Sequence, residues 1–321
     1  MFGKTKLFLI IASMLCMASC DTIREDLPRC ELWLEFAFDY NMEYADAFNP
    51  QVKSVDVFVF GSDDKLLFSK RAEATALIGG NRMSLTNELD FGNYKVLTVG
   101  SLSDNFHALD NAGRELVPGT TTLRQLTVAL KRASDIVDFE FQHLYFSGVV
   151  EVDHLPSNTD HKVYRVNLIR NTNRFNIALM KYGEGQKNGT QYTFEIQAPE
   201  SATYSWENEP THQGPVHYVP HYTGQGETSD VFVSARLNTM RLFNRDGWDY
   251  QFIIKNADTG TKIWSYDLMK LLSIARPTSR HDGTELPFQE YLDRQSEWNL
   301  IFTVTEKSGG GEFIQIGLVV G

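Results

Sequence analysis

Hydrophobic positions along the chain recur mostly at period two. From Glu31 onward, Leu32, Leu34, Phe36, Phe38 and Tyr40 alternate with Trp33, Glu35, Ala37 and Asp39, the spacing of a strand with one buried face. Val55 to Phe60 runs into Gly61-Ser62-Asp63-Asp64-Lys65 and then Leu66-Leu67-Phe68, which predicts a hairpin closed by turn-forming residues. Further strands are predicted over 94–99, 123–130, 137–141 and 145–152, between stretches rich in Gly, Asn and Asp. After Asp153 to Lys162, a polar segment carrying Pro156, alternation restarts at Tyr164, Val166 and Leu168 and returns over 175–179, 192–196, 231–237, 248–254, 298–304 and 313–319. Two short helices are expected, Asp267 to Ala275 and Pro287 to Arg294, the second with Pro287 in its first turn. No long 3.6-residue period interrupts the strands, which disfavours β-α-β units and favours antiparallel sandwiches. The expected fold class is all-β: two tandem β-sandwich domains with short helical insertions, an N-terminal one over 31–155 and a C-terminal one over 160–321.

The first thirty residues follow a different pattern. Lys4 and Lys6 precede an apolar run from Leu7 to Ala18, about half of what a helix needs to span a bilayer. Residues 1–19 are therefore expected to be an export signal. Met17-Ala18-Ser19-Cys20 resembles the bacterial lipoprotein signal, although Met17 stands where Leu is preferred, and this assigns lipidation to Cys20. Two or more acyl chains would hold such a protein firmly to a membrane, since each buried methylene contributes roughly 0.8 kcal/mol. Residues 20–30, polar and containing Pro28, are expected to form a flexible tether. Asp21-Thr22-Ile23 matches a short bacterial glycosylation sequon, and Arg24 and Arg29 are potential trypsin-like processing sites.

Composition narrows the function classes. With 321 residues there is room for two ordinary domains, and 42% apolar content supports sizeable cores. A net charge of −11, without a basic stripe, argues against nucleic acid as a partner. Of three cysteines, Cys16 lies in the signal and Cys20 takes the lipid, which leaves Cys30 as a thiol with no base in its local sequence. His212, His217 and His221 lie close together, but Gly214, Pro215 and Pro220 between and beside them predict a histidine-containing loop rather than a metal site. No phosphate-binding loop, dinucleotide fingerprint or nucleophile elbow occurs, and Gly309-Gly310-Gly311 precedes a strand as a hairpin turn would. No catalytic residue, metal site or cofactor is expected. The aromatic content of 12% suits either sandwich cores or a sugar-stacking surface, so a surface glycan-binding lipoprotein is the alternative function.

Two stretches resemble a known family. Leu32 to Phe48, with Asp39-Tyr40-Asn41-Met42 and Ala45-Asp46-Ala47-Phe48, followed by Val52 to Phe60, is similar to the opening of the FimB-like fimbrial anchor and minor subunit family. Leu168-Ile169-Arg170-Asn171-Thr172-Asn173-Arg174 is similar to that family's entry into its C-terminal domain. The resemblance implies two transthyretin-like, Greek-key sandwiches in an outer-membrane lipoprotein exposed at the cell surface and tied there through Cys20. It also implies partners, fimbrial shaft or accessory subunits joined by strand exchange, and a role at the fibre base. The Asn41–Phe48 segment is expected to form a packed corner that sets the register of the first two strands. Phe313 to Val320 is expected to be the last strand of the second domain's own sheet, with donation to a neighbour as the alternative.

Overall fold

A computed structural model describes residues 31–154, 161–182, 192–211, 213–224, 231–278, 283–307 and 311–318. The signal, the tether, Cys20 and Cys30 lie outside the described residues.

Alternation from Leu32 produces β1 (Glu31–Ala37), which stops three residues before Tyr40 because the chain turns at Asp39 and Asn41. A single helical turn, α1 (Phe48–Gln51), leads into β2 (Ser54–Phe60), and the expected hairpin carries the chain to β3 (Leu66–Glu73) with Asp64 at φ 62° in the turn. There follow β4 (Arg82–Ser84), β5 (Gly92–Gly100), β6 (Phe106–Asp110), β7 (Leu126–Leu130), β8 (Ile136–Val137), β9 (Tyr145–Ser147), β10 (Val150–His154) and β11 (His161–Arg170). The strand expected from Leu123 starts three residues late, because Thr122 and Gln125 form a capping box around a 3-10 turn. The one expected over 145–152 is two strands, broken at Gly148 and Val149.

The second half consists of β12 (Thr172–Tyr182), β13 (Tyr192–Glu200), β14 (Thr203–Ser205), β15 (Gln213–Tyr218), β16 (Tyr222–Gly224), β17 (Val231–Met240), β18 (Gln251–Asn256) and β19 (Lys262–Asp267). Two helices, α2 (Leu268–Ser273) and α3 (Phe288–Arg294), precede the terminal hairpin of β20 (Glu297–Lys307) and β21 (Gly311–Leu318). Asp267 caps α2 by accepting from the Lys270 N–H at 3.1 Å, and Pro287 sits at the N-cap of α3 rather than in its first turn.

Four sheets result. The largest runs β3-β2-β5-β9-β11-β1-β4, with β10 beside β5; the others run β16-β17-β12-β20-β21, β19-β18-β13-β15-β8 and β14-β7-β6. Most pairs are antiparallel, but β1–β11, β12–β20 and β8–β15 are parallel. None of these three is a β-α-β crossover; each joins an early strand to a late one, so the all-β class holds. The segment at 155–160 lies outside the described residues, and the strand after it, β11, pairs with β1 and β9. The chain thus leaves the first sheet at Asn171.

Burial explains why β2 reads as a continuous apolar run instead of alternating. Val55, Val57 and Val59 face a core shared with Leu32, Leu34, Phe36 and Val166, whereas Phe58 and Phe60 enter a second, larger core. That second core continues through Leu126 and Val128 of β7 to Phe194, Phe252 and Trp298, so both halves contribute to it. The two five-stranded sheets of the second half meet there, with the Phe252 and Phe302 rings stacked at 4.9 Å. Each fully buried ring of this kind contributes about 2–3 kcal/mol. Trp298, Tyr145, Tyr204, Tyr218, Tyr250 and Tyr291 are among the largest fully buried side chains, while Phe91 and Tyr222 are exposed.

Candidate functional site

The Asn41–Phe48 segment folds into the expected corner, but it sets no register between β1 and β2, because β5, β9 and β11 lie between these two strands in the sheet. Asn41, 5% exposed, donates its amide to the carbonyls of Phe38 and Ala45 at 2.9 and 2.8 Å, and its Oδ1 accepts from the Glu43 N–H. Asp46 Oδ1 accepts from the N–H groups of Phe38 and Phe48 at 2.9 and 3.0 Å. Two short polar side chains thereby satisfy the backbone of the turn that separates β1 from β2. The corner also has a partner that sequence reasoning missed. Arg294 of α3 places its guanidinium 4.0 Å from the Tyr40 ring centroid and 4.4 Å from that of Tyr44, and donates to the Asn41 carbonyl at 3.2 Å. The corner is therefore a point where the second half clamps the first.

The Leu168–Arg174 motif occupies the crossover from β11 to β12. Asn171 is fully buried and exchanges amide hydrogen bonds with Asn208; Asn173 donates to the Met240 carbonyl at 2.9 Å and accepts from Trp298 Nε1 at 3.1 Å. Thr172 Oγ1 meets His143 Nδ1 at 2.9 Å and accepts from the Leu144 N–H. Each buried polar atom named here finds a partner on a different element, which fixes the crossover geometry instead of leaving a hinge. Nothing in the local spacing identifies Asn208, thirty-seven residues on, as the mate of Asn171.

A cavity of about 770 Å³ opens beside this crossover, lined by Gln51, Lys53, His143, Arg170, Arg174 and Glu297 among others. Burial lowers the pKa of His143 despite its contact with Glu297 at 3.3 Å, which favours the neutral ring. On another face, two hollows of about 460 and 330 Å³ share Lys95 and Glu151, with Tyr94 lining one and Trp206 the other.

The C-terminal strand lies in the second half's own sheet, as expected. β21 pairs antiparallel with β20 from Lys307↔Gly311 to Leu300↔Leu318 and ends the sheet there. Among the described residues it is a long edge strand with one charge, Glu312, in its eight positions.

The remaining candidates fall elsewhere. His212 lies outside the described residues. His217 is in β15, not in a loop, with its Nδ1 2.6 Å from Glu195 Oε1, and Lys255 engages the other oxygen of the same carboxylate. His221 donates its N–H to the Arg236 carbonyl. Among the described residues no three His, Cys, Asp or Glu side chains are arranged to hold a metal ion, and no helix is long and apolar enough to cross a membrane.

The model of the family described as fimbrillin-A associated anchor proteins Mfa1 and Mfa2 matches residues 27–321. The chain belongs to this fimbrial anchor family. Among solved structures, a candidate adhesin from Bacteroides ovatus is 76% identical, with a TM-score of 0.87 over 94% of this chain and 96% of that one. A candidate polysaccharide-binding protein from Bacteroides thetaiotaomicron is 30% identical, with a TM-score of 0.74 over 86% of this chain and 92% of that one. The fimbrial anchor protein Mfa2 from Porphyromonas gingivalis is 16% identical and shares the fold at a TM-score of 0.64 over 90% of this chain and 98% of that one. No curated protein matches the chain. Membership in the anchor family associates the protein with fimbrial subunits and with the fimbrium at the cell surface. Both motifs lie within the matched residues, and in this chain they build the corner and the crossover.

Proposed function

We propose that this anchor-family protein is an outer-membrane lipoprotein, exposed at the surface through acyl chains on Cys20, that holds a fimbrial subunit by strand exchange at its terminal hairpin and performs no catalysis. The observation that carries the exchange is the state of β21. One ladder, to β20, holds it in the sheet, and its outer row of backbone groups faces no strand among the described residues. An extended segment from a subunit could pair with that row or take the place of β21, and either event satisfies backbone groups that the sheet leaves open. In this reading the first sheet closes with β11, the chain passes to the second half at Asn171, and the tether over 20–30 sets the distance of both halves from the membrane. Membership over residues 27–321 supports the anchoring role.

The test has two arms. Cys20→Ala should abolish incorporation of a fatty-acid probe in cells, and persistence of label refutes the lipid assignment. Deleting the gene should release fibres or change their length, and fibres of unchanged length and attachment sink the anchoring role.

A second reading, glycan binding at the surface, is favoured by the adjoining hollows around Lys95 and Glu151, where Tyr94 and Trp206 stand among Asp64, Asn93 and Asp153. The 30% identical relative described as a candidate polysaccharide-binding protein points the same way. Affinity electrophoresis against a polysaccharide panel decides it: retardation lost in Trp206→Ala supports the hollow, and no retardation on any glycan removes the reading.

A further inference from the structure

Arg170 is the last residue of β11 and is only 8% exposed. A guanidinium buried to this degree is normally matched by a carboxylate, because an uncompensated buried charge is strongly destabilising. Here the match is missing. Arg170 forms no ion pair among the described residues; it donates to the amide oxygen of Gln51, and its guanidinium carbon lies 5.0 Å and 5.8 Å from the ring centroids of Phe38 and Tyr145. Glu297, the carboxylate whose charge it feels, is already engaged by Arg174 at 3.7 Å and by His143. The Nε atoms of both Arg170 and Arg174 are buried without a hydrogen-bond partner.

These cations surround a space rather than a packed wall. The cavity beside the crossover, about 770 Å³, falls within the roughly 300–1,000 Å³ of ordinary ligand pockets. Lys53 adds a third cation to its lining, and Ser101 and Asn105 add hydroxyl and amide groups. Two acids, Glu140 and Glu297, also line it; Glu140 is exposed and the Glu297 side chain is 44% exposed, so water screens both better than it screens Arg170. We propose that this junction cavity binds a carboxylate-bearing ligand, with Arg170 as its charge partner and Lys53 and Arg174 beside it. A carboxylate suits the planar fork of a guanidinium, and the acids and amides of the wall suit a ligand that also carries donor groups. Because the cavity touches Gln51 of α1, Arg170 of β11 and Glu297 of β20, an occupant bridges both halves of the molecule. The proposal stands independently of strand exchange and of lipidation.

Calorimetric titration of the full chain tests it, with L-glutamate as the free-acid probe and an acetylated Gly-Ser-Glu-Ser amide as the peptide probe. L-glutamine and sodium chloride at matched ionic strength serve as controls. The expected result is saturable one-to-one binding of at least one probe, with glutamate identifying a free acid and the peptide alone identifying a protein segment. Arg170→Gln should weaken binding about tenfold or more, as loss of a charge-assisted pair would. Because Arg170→Gln also removes a buried contact with Phe38 and Tyr145, Glu297→Gln provides the second measurement: it lies on the exposed rim and should tighten binding roughly threefold by removing a like charge. Lack of saturation by both probes up to roughly 10 mM, weaker than any useful pocket, overturns the proposal. So does saturation that Glu297→Gln leaves unchanged.

Discussion

The first and second halves of the molecule each end a sheet on a long strand, and the two strands are built in opposite ways. β3 carries Lys70, Arg71 and Glu73 along its outer half and ties them to neighbours, Lys70 to Glu88 and Arg71 to Asp56 at 3.2 Å. β21, of the same eight-residue length, has a single charge at its second position and otherwise reads Phe-Ile-Gln-Ile-Gly-Leu. Charges on an edge oppose the approach of another strand, and their absence permits it. The other sheet ends among the described residues are shorter: β4, β14 and β16 have three residues each, β8 has two, β6 five and β19 six. Among the described residues the two longest sheet ends, β3 and β21, thus differ in charge: three charged side chains on one and a single one on the other. That contrast suits an anchor, which must offer an edge to subunits and limit aggregation with itself.

Removing the bare edge should have the largest effect. A chain ending at Lys307 lacks β21 and should lose capture of its fimbrial subunit to background in a pull-down from cells; undiminished capture would place the binding surface elsewhere and break the comparison.

The next largest effect concerns the core on which the second half depends. Glu200, at the end of β13, is fully buried close to Tyr204, Tyr218 and Tyr250, and burial pushes its carboxyl up to about 7. Its pKa is thus higher folded than unfolded, so the folded state binds more protons between about pH 4.5 and pH 7. Stability falls as pH rises through that window and levels off above it. A shift of this size corresponds to roughly 3 kcal/mol. Glu200→Gln should flatten the pH dependence of the urea midpoint and stabilise the protein at pH 8; an unchanged slope would mean that the carboxyl is not held in the apolar environment described.

A smaller effect is expected from placing a charge on β21. Gln315, opposite Thr303 in the register, changed to Lys should leave the hairpin intact and reduce subunit capture about tenfold, through the same repulsion that β3 already uses. Equal capture by the variant would show that pairing occurs without β21's outer edge.

Sequence periodicity made β1, β2 and the terminal hairpin legible, because half-buried alternation and a fully buried run each have a direct physical cause. Other elements were hidden by local residues whose effect depends on distant partners. Gly214 and Pro215 suggest a loop, yet β15 absorbs them where its pairing with β13 shifts between Ala198 and Glu200, and an irregularity of this kind tolerates a missing N–H. β6 and β19 were not anticipated: His107 and Asp110 interrupt the apolar run of one, and Lys262 and Ser265 that of the other. The site was legible in part. The Asn41–Phe48 corner and the Leu168–Arg174 crossover stood out as motifs, but Arg294 between Tyr40 and Tyr44, and Asn208 against Asn171, are contacts that only the tertiary arrangement reveals.

The smallest expected effect comes from the protected edge itself. Replacing Lys70 and Arg71 together by Thr removes both outward cations of β3 and keeps its strand propensity. Their ion pairs are partly exposed, with 34% and 48% of the two basic side chains accessible, so the loss of stability should be below about 1 kcal/mol. Part of that loss should depend on pH. Burial already raises Asp56 to about 6, and Arg71 is the group that lowers it, so without Arg71 the carboxyl rises further. A carboxyl raised on folding weakens stability as pH climbs past its unfolded value, and the variant should therefore be further below the parent protein at pH 8 than at pH 5. The more informative readout is association. If charge is what keeps β3 unpaired, sedimentation at high protein concentration should detect dimers of the variant that the parent protein does not form. A variant that stays monomeric would mean that the shape of the edge protects it, and the same reasoning would then have to explain β21 by its geometry instead of by its lack of charge.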